Sequence, residues 1–143
     1  MISQSLHYLL DTDTCIYLLN GDRKIKGQIH RVGIKTIAVS VMTKGELYFG
    51  AYNSGKVKEN LKKIQIFFEE PGPKLLPMDD AVMECFGKFK AELRRKGQPV
   101  GDIDLLIAGV AISRELKLVT NNTKHFNRIP GISLENWLTQ TGG

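Results

Sequence analysis

Residues 7–19 read HYLLDTDTCIYLL, and this stretch decides the fold class. Its first part, residues 7–11, is a short apolar run that ends in a carboxylate, which is typical of a buried strand. Residues 14–19 favour a helix, and the Asn20-Gly21 pair that follows indicates where that helix ends. A strand that leads directly into a helix is the repeating unit of α/β proteins, in which the sheet is mostly parallel.

The same alternation of short apolar runs and helical stretches continues along the rest of the chain. It predicts further strands at residues 36–39, 74–78, 117–120 and 132–134, and further helices at residues 23–32, 41–52, 57–68, 81–96 and 103–116. The last of these helices is apolar on almost every side, so we expect it to be fully buried. No repeat and no Ser/Pro-rich linker divides the sequence, which predicts a single domain over residues 1–143.

The composition is that of a globular protein rather than a membrane or fibrous one. Hydrophobic residues make up 42% of the 143 residues and charged residues 24%. The longest apolar run, residues 105–112, is far shorter than the roughly 20 residues that span a bilayer. The first ten residues carry no secretory signal. Cys15 and Cys85 have apolar neighbours and are expected to be buried thiols in a reducing cytoplasm, with a single disulfide as the alternative.

The charge balance is basic, with 20 Lys and Arg residues against 15 Asp and Glu residues and a net charge of +5. This excess is compatible with a nucleic-acid partner without requiring one. The basic residues concentrate in residues 23–35, 56–63 and 88–96. Each of these runs is either a solvated helix face or a surface that contacts phosphates.

Functional sites of parallel α/β folds lie beyond the carboxyl ends of the strands. The predicted strands place four segments there, which are residues 11–14, Ser40, Met78-Asp79 and residues 120–122. Ser40 and Asp79 are also predicted to cap the helices that follow them. For Ser40 and Thr120, capping and a role near the site remain alternatives.

Carboxylates in apolar surroundings form the most informative pattern, since an isolated charge is costly there. Clustered carboxylate oxygens suit a hard cation such as Mg²⁺, and the reaction best served is metal-assisted hydrolysis of a phosphodiester. Each residue also has a structural interpretation, as a cap, a solvated side chain or a charge that complements a helix end. Capping is favoured for Asp13 and Asp102, whereas capping and a site role are equally favoured for Asp11. The carboxylates concerned are Asp11, Asp13, Glu46, Asp102 and Asp104.

The histidines show no catalytic spacing, and no phosphate-binding glycine motif is present in the sequence. We expect surface or core imidazoles at all three histidine positions, His7, His30 and His125.

Four strings in order resemble a known family. They are LLDTDTCIYLL (residues 9–19), SVMTKGELYFGA (40–51), GQPVGDIDLLIAGVA (97–111) and LVTNNTKHF (118–126). Together they resemble the PIN-domain ribonucleases of the VapC type, the toxin half of bacterial type II toxin–antitoxin pairs. The resemblance covers nearly the whole chain, and four motifs in the right order make it specific.

The resemblance implies a PIN-like three-layer fold with a mostly parallel sheet of about five strands flanked by helices. It implies that Asp11 and Asp104 are metal ligands and that Glu46 is the acidic residue of the third helix. The fourth acidic position of the family falls at Asn122, which has no negative charge to hold a second metal but is able to hold a metal-bound water. Asp13 stands where the family often has Asn, which adds negative charge to the site.

The resemblance also implies the reaction and the partners. It implies an endoribonuclease dependent on Mg²⁺ or Mn²⁺, in which a metal-activated water attacks an RNA phosphodiester. It further implies a homodimer with no membrane partner, and a small cognate antitoxin whose C-terminal segment enters the active-site groove.

Two other functions remain as alternatives. The run from Asp11 to Thr14 nearly matches the strand-end motif of haloacid-dehalogenase-like phosphatases, in which Asp11 would be the nucleophile and Asp13 the acid/base. Gly101-Asp102 is similar to a later motif of those enzymes, but residues 97–100 resemble a loop rather than the strand that this motif should follow. The second alternative is a PIN-like interaction module without catalysis. The presence of Asp11, Glu46 and Asp104 argues against it.

Overall fold

The computed structural model describes residues 5–139, which form a five-stranded parallel sheet with helices on both faces. The strands lie in the order β3-β2-β1-β4-β5, and every neighbouring pair is parallel. The predicted α/β fold with about five strands is therefore confirmed. The strands are β1 (Tyr8–Leu10), β2 (Ile37–Ser40), β3 (Lys74–Leu76), β4 (Lys117–Val119) and β5 (Leu134–Glu135).

The helices follow the predicted ones closely, with three differences, of which one is that the first helix begins at Thr12 and not at residue 14. They are α1 (Thr12–Leu19), α2 (Arg23–Val32), α3 (Val41–Tyr52), α4 (Val57–Phe68), α5 (Asp80–Arg95), α6 (Asp102–Ser113) and α7 (Thr123–Phe126). Helix α6 ends three residues before the predicted boundary, because Glu115 adopts a left-handed φ of 56° that closes the helix. Helix α7 was not predicted, since four residues are too few to show a helical period.

The sheet separates two hydrophobic cores because successive side chains of a strand point to opposite faces. Leu9, Ala38 and Leu118 pack against α5 and α6, whereas Leu10, Val39 and Val119 pack on the side of α1, α3 and α4. This alternation produces the expected three layers. The prediction that helix α6 is fully buried is wrong, because Ile103 in its first turn is 42% exposed.

Both cysteines are free thiols, so the disulfide alternative is wrong. Cys15 is fully buried on the α1 side of the sheet, and Cys85 is half-buried on the α5 side. Burial raises the pKa of the Cys15 thiol well above its usual value, and the nearby charge of Asp11 raises it further. Within residues 5–139, no helix combines the length and apolar character needed to cross a membrane.

The order of the strands locates the crevice in which a ligand would bind. From β1 the chain builds β2 and β3 on one side, and then returns to build β4 and β5 on the other side. Open α/β sheets bind ligands where the strand order reverses, outside the carboxyl ends of the strands. Here that point lies between β1 and β4, which end at Leu10 and Val119 in matching register.

Candidate active site

Asp11 lies at the switch point and serves as the N-cap of α1. Its backbone N–H donates to the carbonyl of Val119 at 3.0 Å, which continues the pairing of β1 with β4. Its Oδ1 accepts the N–H of Thr14 at 2.8 Å, as a helix cap does. The Thr120 side chain lies close enough to the same carboxylate to lower its pKa. Asp11 therefore caps α1 and also lies at the carboxyl end of β1, where the sequence predicted a functional site.

The Asp11 carboxylate is buried without a cationic partner. The residue is only 4% exposed, and within residues 5–139 no Lys or Arg forms an ion pair with it. Burial raises the pKa of Asp11, the hydrogen bonds from Thr120 and Thr14 oppose that rise, and the charge of Asp13 adds to it. A buried carboxylate held mainly by neutral donors favours the approach of a cation.

Thr120 and Asn122 complete the edge of the sheet beside Asp11. Thr120 is fully buried, and its Oγ1 accepts the backbone N–H of Asn122 at 2.9 Å. Asn122 is exposed and precedes α7, but its side chain does not cap that helix. The predicted strand-end position of both residues is therefore confirmed, with Thr120 between Asp11 and Asn122.

Glu46 is connected to the start of α1 through Thr12. The Thr12 hydroxyl donates to Oε1 of Glu46, and it also lies 3.2 Å from the hydroxyl of Thr43. Thr43 in turn contacts Ser40, whose Oγ accepts the Thr43 N–H at 3.1 Å. Ser40 caps α3 as predicted and is fully buried, and the hydroxyls of Thr43 and Thr12 connect it to Glu46.

Asp104 lies in the first turn of α6, where its carboxylate meets an imidazole. Nε2 of His125 is 3.1 Å from Oδ2 of Asp104, although the two residues are 21 positions apart. The preceding residue, Ile103, lines the same open cavity as Glu46. The start of α6 therefore lies beside α3 through Ile103 and beside α7 through Asp104.

These contacts form a ring at one edge of the sheet. The ring comprises Asp11 with the adjoining Thr12, which is bonded to Glu46, then Asp104 paired with His125, and Thr120 beside Asp11. Its link between Glu46 and Asp104 is indirect, through Ile103, which lines the same cavity as Glu46. Within residues 5–139, no three His, Cys, Asp or Glu side chains are close enough to enclose a metal ion by themselves. An ion held here would therefore keep several waters, which is the usual behaviour of Mg²⁺ in proteins.

Three other predictions about acidic residues are wrong or incomplete. Asp13 is exposed and does not cap α1, because Asp11 already occupies the cap position with its extended backbone. Asp102 does not cap α6, which has Gly101 at that position, and it pairs with Lys90 at 3.0 Å on the α5 side. Asp79 caps α5 as predicted, yet it does not join the site, because it pairs with Arg114 beyond the far end of α6.

The sequence interpretation missed two residues of the ring, Thr12 and His125. We expected an unremarkable imidazole at His125, as found at the exposed His7 and His30, but His125 contacts Asp104. The spacing could have indicated that His125 belongs to the site, because it follows Asn122 by three positions. Residues three apart lie on the same side of a helix. Thr12 lies between Asp11 and Asp13, where its neighbours indicated the site.

Comparison with known proteins settles the family. The family model for the PIN domain matches residues 8–132. The chain belongs to the PIN-domain family. It is 37% identical to the tRNA(fMet)-specific endonuclease VapC of Salmonella typhimurium over 132 residues, covering 92% of this chain and 98% of that protein. It is 38% identical to Ribonuclease VapC2 of Rickettsia felis over 135 residues, covering 91% and 97%.

A solved structure supports the same assignment. The DNA-bound VapBC of Salmonella typhimurium matches with a TM-score of 0.86 and 38% identity, covering 92% of this chain and 98% of that one. The predicted membership of the VapC-type PIN-domain ribonucleases is therefore confirmed, and with it the prediction of an endoribonuclease. The phosphatase alternative is set aside on the same grounds, and also because Asp102 follows a loop and begins a helix instead of ending a strand.

Proposed function

We propose that this PIN-domain protein is an endoribonuclease dependent on Mg²⁺ or Mn²⁺ and acts as the toxin of a type II toxin–antitoxin pair. The observation that carries the metal dependence is the Asp11 carboxylate, 4% exposed and without a cationic partner among residues 5–139. Such a group is stabilised by a bound cation and destabilised without one.

The residues present fit a hard divalent ion. Asp11 and Asp104 offer carboxylate oxygens on two elements of the ring, and one or two such ligands suffice for an ion that keeps its waters. When bound, the ion supplies Lewis-acid stabilisation of the charge that develops on the phosphate. Asn122 replaces a charged residue with a neutral one, which favours a single ion at this site.

Glu46 is the residue we assign to proton transfer. Thr12 occupies Oε1, which fixes the carboxylate and leaves Oε2 to accept a proton from the attacking water. The Asn122 amide, free of a capping role, would hold a water or a phosphate oxygen. Asp13, exposed beside Asp11, adds negative charge near the crevice without contacting the reacting atoms.

Basic residues beside the ring support an RNA substrate. Lys90 of α5 pairs with Asp102 at the start of α6, so the last turn of α5 lies near the Asp104 end of α6. That turn carries the exposed side chains of Arg94, Arg95 and Lys96. We assign phosphate contacts to them, which raises affinity for RNA without reading its sequence.

A groove between α1, α3 and α4 supports the antitoxin partner. Apolar side chains of Ile16, Leu47 and Ile64 line it, and Glu46 lies at its border. We propose that a segment of a small antitoxin lies in this groove and places an Arg or Lys against the carboxylates of Asp11 and Asp104, in the position of the metal. The homodimer stays a prediction. Cleavage of RNA in the cytoplasm also stays a prediction.

Cleavage of RNA by antitoxin-free protein tests the proposal against its alternatives. We expect internal cuts in RNA with Mg²⁺ or Mn²⁺ and no cuts with EDTA, while a small phosphomonoester stays intact in both. Hydrolysis of the phosphomonoester would support the phosphatase alternative. If neither substrate reacts with metal present, the protein is an interaction module and the proposal is wrong.

A further inference from the structure

The contact between His125 and Asp104 has a chemical meaning beyond the pairing itself. We propose, on the basis of the proposed function, that His125 supplies a nitrogen ligand to the divalent ion held by Asp104, and that this nitrogen makes the site prefer Mn²⁺ to Mg²⁺. None of the residues assigned above to the metal is a nitrogen donor.

His125 and Asp104 lie at a distance that suits two ligands of one ion. Nε2 of His125 and Oδ2 of Asp104 are 3.1 Å apart. Two ligand atoms at right angles around an octahedral ion, each about 2.1 Å from it, are separated by about 3.0 Å. The two hydrogen-bonded atoms therefore have nearly the spacing of neighbouring ligands of one ion. Binding would replace the proton between them with the ion, so that Nε2 offers its lone pair to the metal.

The surrounding structure holds the imidazole of His125 firmly in place. Helix α7 is short, but the neighbouring Phe126 is 2% exposed and anchors it in the core. Two residues further along, Nη1 of Arg128 donates to the carbonyl of Pro99 at 3.2 Å, in the loop before α6. The segments that carry His125 and Asp104 are thus joined at two points, which preorganises the pair.

Asp104 has an imidazole as its partner and not an ammonium group. Two residues earlier, Asp102 pairs with Lys90 at 3.0 Å, so the fold uses an ammonium group where it neutralises a surface carboxylate. A Lys or Arg beside Asp104 would compete with a metal ion for the carboxylate. An imidazole does not compete in this way, because it is itself a common metal ligand.

The consequence is a preference among metals. Mg²⁺ takes oxygen ligands and demands near-ideal octahedral geometry, whereas imidazole suits transition metals. Replacing an oxygen ligand with a nitrogen therefore weakens Mg²⁺ binding relative to Mn²⁺. Along the same series of metals, a nitrogen ligand also favours Co²⁺ over Mn²⁺.

The test measures metal binding instead of cleavage. Dissociation constants for Mn²⁺ and Mg²⁺ are determined by calorimetry for the wild type, His125→Ala, His125→Glu, Asp104→Asn and the control His30→Gln, which changes an exposed histidine of α2. We expect His125→Ala to raise the Mn²⁺ constant about tenfold or more while the Mg²⁺ constant changes much less. We expect His125→Glu to bring the two constants together, and His30→Gln to leave both unchanged. Thermal melts of the metal-free variants check that each one folds.

A spectroscopic measurement separates a ligand from a residue that only positions Asp104. The electron spin echo of bound Mn²⁺ should show coupling to an imidazole ¹⁴N, present in the wild type and in His30→Gln and lost in His125→Ala. Absence of this coupling in the wild type would overturn the inference even if affinity fell in His125→Ala.

The outcomes also separate this inference from the proposed function. If Asp104→Asn abolishes metal binding while the two His125 variants keep the wild-type ratio of constants, the nitrogen ligand is wrong and the metal site stands. If Asp104→Asn binds both metals as the wild type does, the proposed metal site itself is wrong.

Discussion

The hydroxyl of Thr12 donates a hydrogen bond to Oε1 of Glu46 and so joins the first turn of α1 to the middle of α3. The two residues are 34 positions apart in the chain, and the bond holds the Glu46 carboxylate beside the end of β1. Thr43 and Ser40 extend the contact into the buried cap of α3. Glu46 is thus an oriented side chain and not a freely rotating one on a solvated helix face.

Removal of this hydroxyl should reduce cleavage with little effect on folding. Thr12→Val keeps the shape of the side chain but leaves Glu46 without its donor, and loss of such an outer partner costs about 10- to 100-fold in activity. Thr12→Ser retains the hydroxyl and should restore most of the rate. The measurement is the single-turnover cleavage rate at saturating Mn²⁺, and equal rates for the Val and Ser variants would show that the bond does not orient Glu46.

Substitution of Asp11 should stabilise the metal-free protein at neutral pH. Burial raises the pKa of Asp11 above the value of about 3.9 in the unfolded chain, so the native state binds more protons between these two pKa values. The stability that this group contributes is present below the unfolded pKa and is lost as the pH rises through the folded pKa. Asp11→Asn removes this loss and still caps α1, since Asn and Asp cap equally well.

Thermal melts of Asp11→Asn in EDTA test this from pH 4 to pH 7. We expect its melting temperature to exceed that of the wild type most at pH 7, by about 4 °C for each kcal/mol gained. Asp22→Asn is a matched control, because Asp22 caps α2 by the same contact, with Oδ1 accepting the N–H of Ile25 at 3.0 Å. A rise as large in the control would mean that general charge, and not the burial of Asp11, is responsible.

The groove between α1, α3 and α4 should determine affinity for the antitoxin. Ile16 lines this groove and is 43% exposed, so Ile16→Glu introduces a charge into the interface without disturbing the core. We expect the affinity for the cognate antitoxin to fall about tenfold or more, while RNA cleavage stays near wild type.

Ile66→Glu provides the matched control for this groove. Ile66 is 56% exposed on α4 and lines a different cavity. Ile66→Glu should leave antitoxin binding unchanged when the antitoxin is titrated against both variants by calorimetry. Equal losses in both variants would place the antitoxin elsewhere on the surface.

Local patterns in the sequence predicted the sheet and the position of Asp11, because a short apolar run such as Leu9-Leu10 signals a buried strand by itself. The caps were harder to assign, since an N-cap is decided by the backbone angles of one residue. Asp11 adopts the extended backbone of a cap and Asp13 does not. His125 could not be paired with Asp104 from the sequence, because that contact depends on how α7 packs against the start of α6.

The single-turnover cleavage rate of Asp104→Asn at saturating Mn²⁺ tests the central claim most directly. The substitution keeps size and hydrogen bonding but removes the charge that binds the metal, in a residue half-buried at the start of α6. Because loss of an outer partner alone costs about 10- to 100-fold, we predict a loss of more than about 100-fold for this ligand, with an unchanged fold. A rate within tenfold of the wild type would contradict the assignment of Asp104 to the metal and with it the account of the active site.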